Sequence, residues 1–467
     1  MYLRDLRIPL CLLFLTASVT AADWTRFRGP NGSGVSPDEA LPPTTWSDSE
    51  NVKWKAKLPG PGLSCPIVIG DRVVVTCWSG YAVDPQDPGS LDDLQRNVVC
   101  IDRQTGDVLW SHDEPALLPE DTFRGMFAQN GYASHTPATD GERVYVFFGK
   151  TGVLAFDLGD GRKLWQKSVG ENLEGKHWGS ASSPIVHNGL VIVPAFIEGD
   201  ALVALDGKTG DVAWKQEAPG YRSNWSTPIL VEAKDQTDLV LAVPGEVWGL
   251  NPANGKLRWY CEIPGADDAR ASVIADGDIV IAMGGGRGSS TAIAVRAGGK
   301  GDVKETHQIW EGRDASKIAT PVVRDGHLYL VDGKVVKSVD MTTGKRIGQA
   351  RLTGSGGGTE TSGGGESEER PERGDRGQDG GGGGSPGGYG GGMGGQDYSS
   401  PIIAGNNLYW ASRAGDVFVV QLGDSMKQIA RNSFDSDRGE YSSTPAVSNG
   451  ELFIRSATSL YCVANKE

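Results

Sequence analysis

Aromatic, hydroxyl and imidazole side chains recur in this chain just ahead of a short repeated segment that usually reads Ser-Pro or Thr-Pro. They are Tyr132, Ser134 and His135; Trp178, Ser180 and Ser182; Asn224 and Trp225; and then Arg270, Tyr398 and Tyr441. Brought together at one concavity, flat rings and hydroxyls suit a planar or sugar-like ligand, with Arg270 or Arg287 available for an anionic group. The competing expectation is that these groups satisfy strand starts and fill a channel with the protein's own side chains. No catalytic residue is assigned among them.

Other chemistry is sparse. His112, His135, His177, His187, His307 and His327 show no metal-ligand spacing, and there is no Cys-x-x-Cys, His-Glu-x-x-His or haem-attachment sequence, so no metal site is expected. Asp435 to Glu440 alternates carboxylates with a Gly but omits the rest of a calcium-binding loop, and is read as a solvated turn. Gly383-x-Ser385-x-Gly387 satisfies a nucleophile-elbow pattern without the strand-to-helix context that pattern requires.

The elements that position these residues are repeats. One copy runs Ser182-Ser183-Pro184-Ile185-Val186, Asn188-Gly189, Leu190 to Val193, Leu202 to Asp206, Thr209-Gly210 and Trp214. Apolar residues alternate at period two between turn residues, which describes short antiparallel strands that cannot bury a core alone. The opening Pro recurs at 66, 137, 184, 228, 321, 401 and 445, and Val273 stands in a degenerate copy, giving eight units. The last unit lacks a fourth strand, while Asn51 to Lys55 supplies a spare one near the other end of the chain. Pairing the two closes a ring and removes exposed edges. The sequence therefore predicts an all-β, eight-bladed β-propeller of four-stranded antiparallel blades, closed by an N-terminal strand.

With four strands A to D per blade, the tight A–B turns and the Asp-x-x-Thr-Gly C–D turns fall on one rim, which is expected to be plain. The recurrent Asp and Asn residues there are read as turn caps rather than as a ring of catalytic carboxylates. Insertions fall at B–C and D–A connections on the opposite rim, which is therefore the expected working face.

The chain has 467 residues, net charge -14 and a pI near 5.0. No cationic surplus exists to displace phosphate counterions, which speaks against a nucleic-acid partner. Residues 1–22 read as a secretory signal peptide and 23–467 as a single propeller domain; no transmembrane segment is expected. The lipidation box is absent around Cys11. An exported, periplasmic or extracellular protein follows. The five remaining cysteines are read as buried packing residues, because the hairpin register turns Cys65 and Cys77 to opposite faces. The Gly-rich insertion 353–397 holds too few apolar residues to pack and is expected to be disordered.

The units Ser182 to Trp214 and Ser226 to Trp259, the opening Trp24-Thr25-Arg26-Phe27-Arg28-Gly29-Pro30-Asn31-Gly32 and the stretch Leu58 to Gly62 resemble secreted bacterial propellers of the pyrroloquinoline-quinone (PQQ) repeat type. That superfamily includes quinoprotein alcohol dehydrogenases and a propeller lipoprotein assisting outer-membrane-protein assembly. The dehydrogenases' active site has a vicinal disulfide, calcium ligands and an Asp base; this chain has no adjacent Cys pair, so none of those roles is carried over. Two functions are expected in order. The first is a non-catalytic scaffold or binding module for an envelope protein or glycan, without a cofactor. The second is a quinoprotein oxidoreductase with a divergent site, which requires PQQ and calcium.

Overall fold

The computed structural model describes residues 22–84, 86–123, 131–173, 178–285, 290–354, 396–423 and 425–466. Residues 1–21 of the expected signal peptide, Arg287, the nucleophile-elbow match and residues 355–395 of the Gly-rich insertion lie outside them. At the ends of that insertion, Thr353 donates its backbone N–H to Gln428, and Asp397 accepts one from Arg413.

Each repeat forms an antiparallel sheet, since apolar runs such as Leu190–Ala195, with three β-branched residues, and Ala201–Asp206 pair one to one. Eight sheets result. Their inner strands are Ile67–Ile69, Ala138–Thr139, Ile185–His187, Ile229–Ala233, Ile274–Asp276, Val322–Arg324, Ile402–Ala404 and Ala446–Ser448. The eighth blade takes its outer strand from the other end of the chain: Val52–Lys57 pairs antiparallel with Ser459–Val463. The ring is closed as the sequence predicts. One blade departs from the four-stranded plan, because Gly301–Asp302 adds a fifth, parallel strand beside Trp259 and Tyr260 of the fourth blade.

The Trp and the Thr-Gly of the repeat meet across blade boundaries. Trp54, Trp110, Trp165, Trp214 and Trp310 each lie on the turn glycine of the following blade, respectively Gly106, Gly161, Gly210, Gly255 and Gly344. Each indole N–H also donates to a carbonyl of that turn at 2.8–3.1 Å. A Cβ on Gly106 or Gly161 would collide with the ring at 2.8 or 2.5 Å, and both glycines have positive φ (80° and 74°), so no other residue fits without strain. Trp259 is the exception, donating instead to buried Asp238 at 2.7 Å. The turn aspartates cap backbone amides: Asp102 accepts from Gln104 and Thr105, and Asp206 from Lys208 and Thr209. Trp54 closes the ring in this way too, docking the eighth blade onto the first.

Candidate functional site: a one-ended cup on the propeller axis

Around the axis, the residue two positions before each inner strand joins its neighbours in a closed belt. The backbone N–H of Cys65 donates to the hydroxyl of Thr136, Thr136 to Ser183, Ser183 to Thr227, and Thr227 to Ser272. Ser272 continues to Thr320, Thr320 to Ser400 and Ser400 to Thr444, all at 2.9–3.0 Å. Thr444 returns to the sulfur of Cys65 at 3.2 Å. The belt explains the repeated dipeptide. A hydroxyl accepts the otherwise unpaired N–H of the preceding blade, and the following Pro has no N–H to leave unsatisfied at the axis while holding the residue before it extended. Cys65 is the one thiol in a ring of hydroxyls. Its thiol, like those of Cys77, Cys100, Cys261 and Cys462, is unpaired by any disulfide, buried, and shifted upward by burial.

The rim expected to be plain is crossed by the chain's own N-terminal segment. Trp24 bridges to Val68 of the first inner strand, Thr25 accepts from Thr139 of the second, Asn31 pairs both ways with Leu230 of the fourth, and Val35 bridges to Ile403 of the seventh. Arg26 reaches Pro228 O at 2.5 Å. Arg28 reaches Thr320 O and Pro321 O at 2.6 Å. This segment is a plug. Its Trp-x-Arg-Phe-Arg-Gly sequence is legible as a motif, but its job depends on carbonyls supplied by blades hundreds of residues away.

Above the plug lies a cavity of about 380 Å³, open at the ornamented rim. Phe27 of the plug, Trp178, Trp225 and Tyr398 supply its aromatic surfaces, the belt hydroxyls its polar ones, and Arg270 its cation. Trp225 is held by its indole N–H, which donates to Gly179 O at 2.8 Å. Arg270 pairs with Asp268 at 2.5 Å, a carboxyl that burial shifts upward. Among the described residues, the cup's lining contains no carboxylate and no imidazole.

Of the side chains expected at this mouth, Trp178, Trp225, Arg270 and Tyr398 line the cup, as does Ser134. Six others do not: Ser180 faces a second cavity, Ser182 donates its hydroxyl to Asn224 O, and four more are engaged elsewhere. Tyr132 is taken up by the insertions of the first blade: its ring packs against Trp78, Tyr81 and Phe123, and its hydroxyl donates to Asp121 O at 2.6 Å. His135 lies behind the cup wall against Phe147, with ring centroids 4.6 Å apart, and burial draws it down to about 3, so it is neutral. Asn224 is fully engaged, donating to Ala242 O and accepting from the N–H of Ser226. Tyr441 stacks on Phe434 and donates to Asp437 O at 3.0 Å, its hydroxyl shifted upward by burial. Period-two alternation identifies which residues precede an inner strand. It does not say which way an irregular approach segment turns them.

A second, water-sized cavity of about 20 Å³ lies beside the cup. Ser180 faces it and Ala181 faces the cup, so a single stretch of chain divides the two. The hydroxyl of Ser180 contacts His135 Nε2 at 3.0 Å and donates to Glu198 Oε1. Glu198 is 3% exposed, its Oε2 has no partner among the described residues, and burial lifts its carboxyl to about 7. Sequence reasoning missed Glu198, which sits on a short helix, Phe196–Gly199, inserted between strands of the third blade.

The calcium-like fragment is spent internally: Asp435 pairs with Arg438, Asp437 accepts from Ser456 and Tyr461, and Glu440 pairs with Arg413. Among the described residues no group of three or more His, Cys, Asp or Glu side chains is placed to hold a metal ion, and no helix is long and apolar enough to cross a membrane.

Comparison with known proteins agrees with this architecture. BamB from Moraxella catarrhalis superposes with a TM-score of 0.55 over 88% of this chain and 98% of that one, at 10% identity. A europium-containing methanol dehydrogenase gives 0.57 over 94% and 90%, also at 10% identity. Likeness at this identity establishes the fold alone. In sequence, the chain is 24% identical over 262 residues to a polyvinylalcohol dehydrogenase of a Pseudomonas species, covering 46% of this chain and 37% of that protein. It is 22% identical over 339 residues to a tetrathionate hydrolase of Acidithiobacillus ferrooxidans, covering 65% and 61%. The chain thus spans less than two thirds of the length of either curated relative. Residues 44–178 and 95–349 match the family model described as outer membrane protein assembly factor BamB. With its PQQ-type repeats, closed ring and docked tryptophans, the chain belongs to that family of β-propellers.

Proposed function

We propose that this protein is an exported, non-catalytic binding module of the cell envelope, whose cup receives a planar or sugar-like group presented by a protein or glycan. The observation that carries the reading is the one-ended cup, with Trp178, Trp225 and Tyr398 at its sides and Phe27 beneath. Aromatic faces beside hydroxyls suit a ring with an apolar face and a polar edge. The family match to an outer-membrane assembly factor supports a location in the envelope and a protein partner.

An oxidoreductase is the second reading, favoured by the similarity to polyvinylalcohol dehydrogenase. PQQ with calcium would place flat-ring redox chemistry in the cup. The described residues do not fit that pair. They offer no metal-holding cluster and no adjacent Cys pair, and no carboxylate or imidazole on the cup's lining to take a proton from an alcohol.

Two measurements on the purified protein separate the readings. Labelled envelope glycan fragments and envelope proteins should bind the parent and bind Trp225→Ala more weakly. Addition of PQQ and calcium should give no visible absorbance band and no alcohol-dependent dye reduction. Turnover in the second assay would overturn the non-catalytic reading; equal binding by parent and variant would remove the cup from it.

A further inference from the structure

Charges at the mouth of the cup and behind its wall are arranged differently. At the mouth, cations have carboxylates: Arg270 pairs with Asp268 at 2.5 Å and Arg413 with Glu440 at 3.1 Å. Behind the cup's wall, Arg26 and Arg28 on the plug side and Arg455 at the B–C end of the eighth blade are 7%, 1% and 1% exposed, and none has a carboxylate partner among the described residues. Arg26 and Arg28 flank Phe27 and donate to main-chain carbonyls. Arg455, on another side, donates to Ser64 O, to the Ser64 hydroxyl and to the sulfur of Cys77. The Nε of Arg26 and of Arg455 has no acceptor among the described residues.

All three approach the belt. Arg26 bonds the residue after Thr227, Arg28 bonds Thr320 itself, and Arg455 bonds the residue before Cys65, so each guanidinium lies one residue or less behind a lining residue of the cavity without lining it. Burial draws Arg26 and Arg28 down to about 9, which leaves them protonated at neutral pH. Burying a cation without a counter-charge is costly, and low-dielectric walls focus the field of such charges into a cleft. The concentration of positive charge here runs against the net charge of -14 of the whole chain.

We infer that the cup selects an anionic ligand: a ring bearing a carboxylate, sulfate or phosphate group, drawn inward by the field of Arg26, Arg28 and Arg455. The inference rests on the cup being the binding site. It adds the sign of the ligand's charge, and it locates the selectivity in buried arginines of the plug and the eighth blade rather than in the exposed Arg270.

Calorimetric titration of the full-length protein with three probes of one shape tests it: naphthalene-2-sulfonate, naphthalene-2-methanol and naphthalene-2-methylammonium. The sulfonate should bind about tenfold tighter than the alcohol at low ionic strength, the ammonium should bind weakest, and the difference should shrink as salt is added. Arg455→Met should reduce the preference for sulfonate and Arg455→Lys should retain it. If either variant fails to fold, the order of the three probes and its salt dependence in the unaltered protein decide. Sulfonate binding that Trp225→Ala leaves unchanged lies elsewhere and overturns the inference. Equal affinity for all three probes overturns it while leaving the cup as the binding site. Binding of none removes both.

Discussion

The two ends of the propeller axis are built from the same eight repeats and finish in opposite ways. At one end the tight turns are uniform, their aspartates are consumed in capping, and the N-terminal segment from Trp24 to Val35 lies across the opening, spending its side chains on inner-strand carbonyls and amides. At the other end, connections differ from blade to blade and the axis opens into a cup with aromatic sides. The difference teaches that repetition supplies the scaffold and departures from it supply the site. Where the repeat is kept, its turn aspartates are satisfied by amides of their own turn, and its belt N–H groups and docked indoles by the next blade.

The contrast is broken most severely by deleting residues 22–57, which removes both the plug and the strand Val52–Lys57 that closes the eighth blade. The deleted protein should lose its cooperative melt altogether, because the edge of Ser459–Val463 is left unpaired. A melt like that of the full chain would show that closure is not what holds the ring. Removing residues 22–36 alone separates the effects: it should lower the melting temperature by less and open the cup at both ends.

Next in size is Trp54→Ala. This ring docks the eighth blade on Gly106 of the first and is almost fully buried, so its loss should cost about 3–5 kcal/mol in chemical denaturation. The half-buried Trp110, docked in the same way on Gly161, should cost less. Equal costs would mean that burial at the seam adds nothing to stability.

These docking contacts also mark how far the sequence could be read. Blade count, ring closure and the plain-versus-ornamented division all follow from period-two alternation and turn residues, which are local signals. The pairing of each Trp with a Gly one blade later is written in the repeat, yet its meaning depends on how neighbouring blades stack. Trp178, Trp225, Arg270 and Tyr398 reach the cup from connections that lead into four different inner strands. Tyr132 and Tyr441 do not, since their rings are captured by Phe123 and Phe434, contacts made in loops that carry no periodicity. Arg26 and Arg28 were visible as residues and invisible as a plug, because their acceptors are carbonyls of Pro228, Thr320 and Pro321.

A smaller effect is expected from the wall between the two cavities. Burial raises Glu198 from 4.5 to about 7, so its contribution to stability is complete below about pH 4.5 and is lost as pH rises through 7. Burial lowers His135 from 6.5 to about 3, so its contribution is present above pH 6.5 and is lost as pH falls toward 3. The two oppose each other between pH 4.5 and 6.5. Glu198→Gln should therefore melt higher than the parent above pH 7, match it near pH 5, and leave the acid-side loss from His135 in place. A melting profile parallel to the parent's at every pH would show that Glu198 is ionised in both states.

The smallest effect should come from replacing residues 355–395 by a short Gly-Ser linker. Loop length enters stability only logarithmically, so the melting temperature should barely move. A large drop would show that this segment packs on the ornamented rim and would enlarge the working face beyond the cup.

The claim that function resides at the open end is tested most directly by titrating one probe, naphthalene-2-sulfonate, into three proteins: the parent, Trp225→Ala at the cup and Lys208→Ala in an exposed turn of the opposite rim. Loss of the aromatic face should weaken binding by about 1–3 kcal/mol, roughly five- to 150-fold, while Lys208→Ala binds as the parent does. Parent-like binding by Trp225→Ala together with a loss in Lys208→Ala would place the working face at the plugged end and contradict the account.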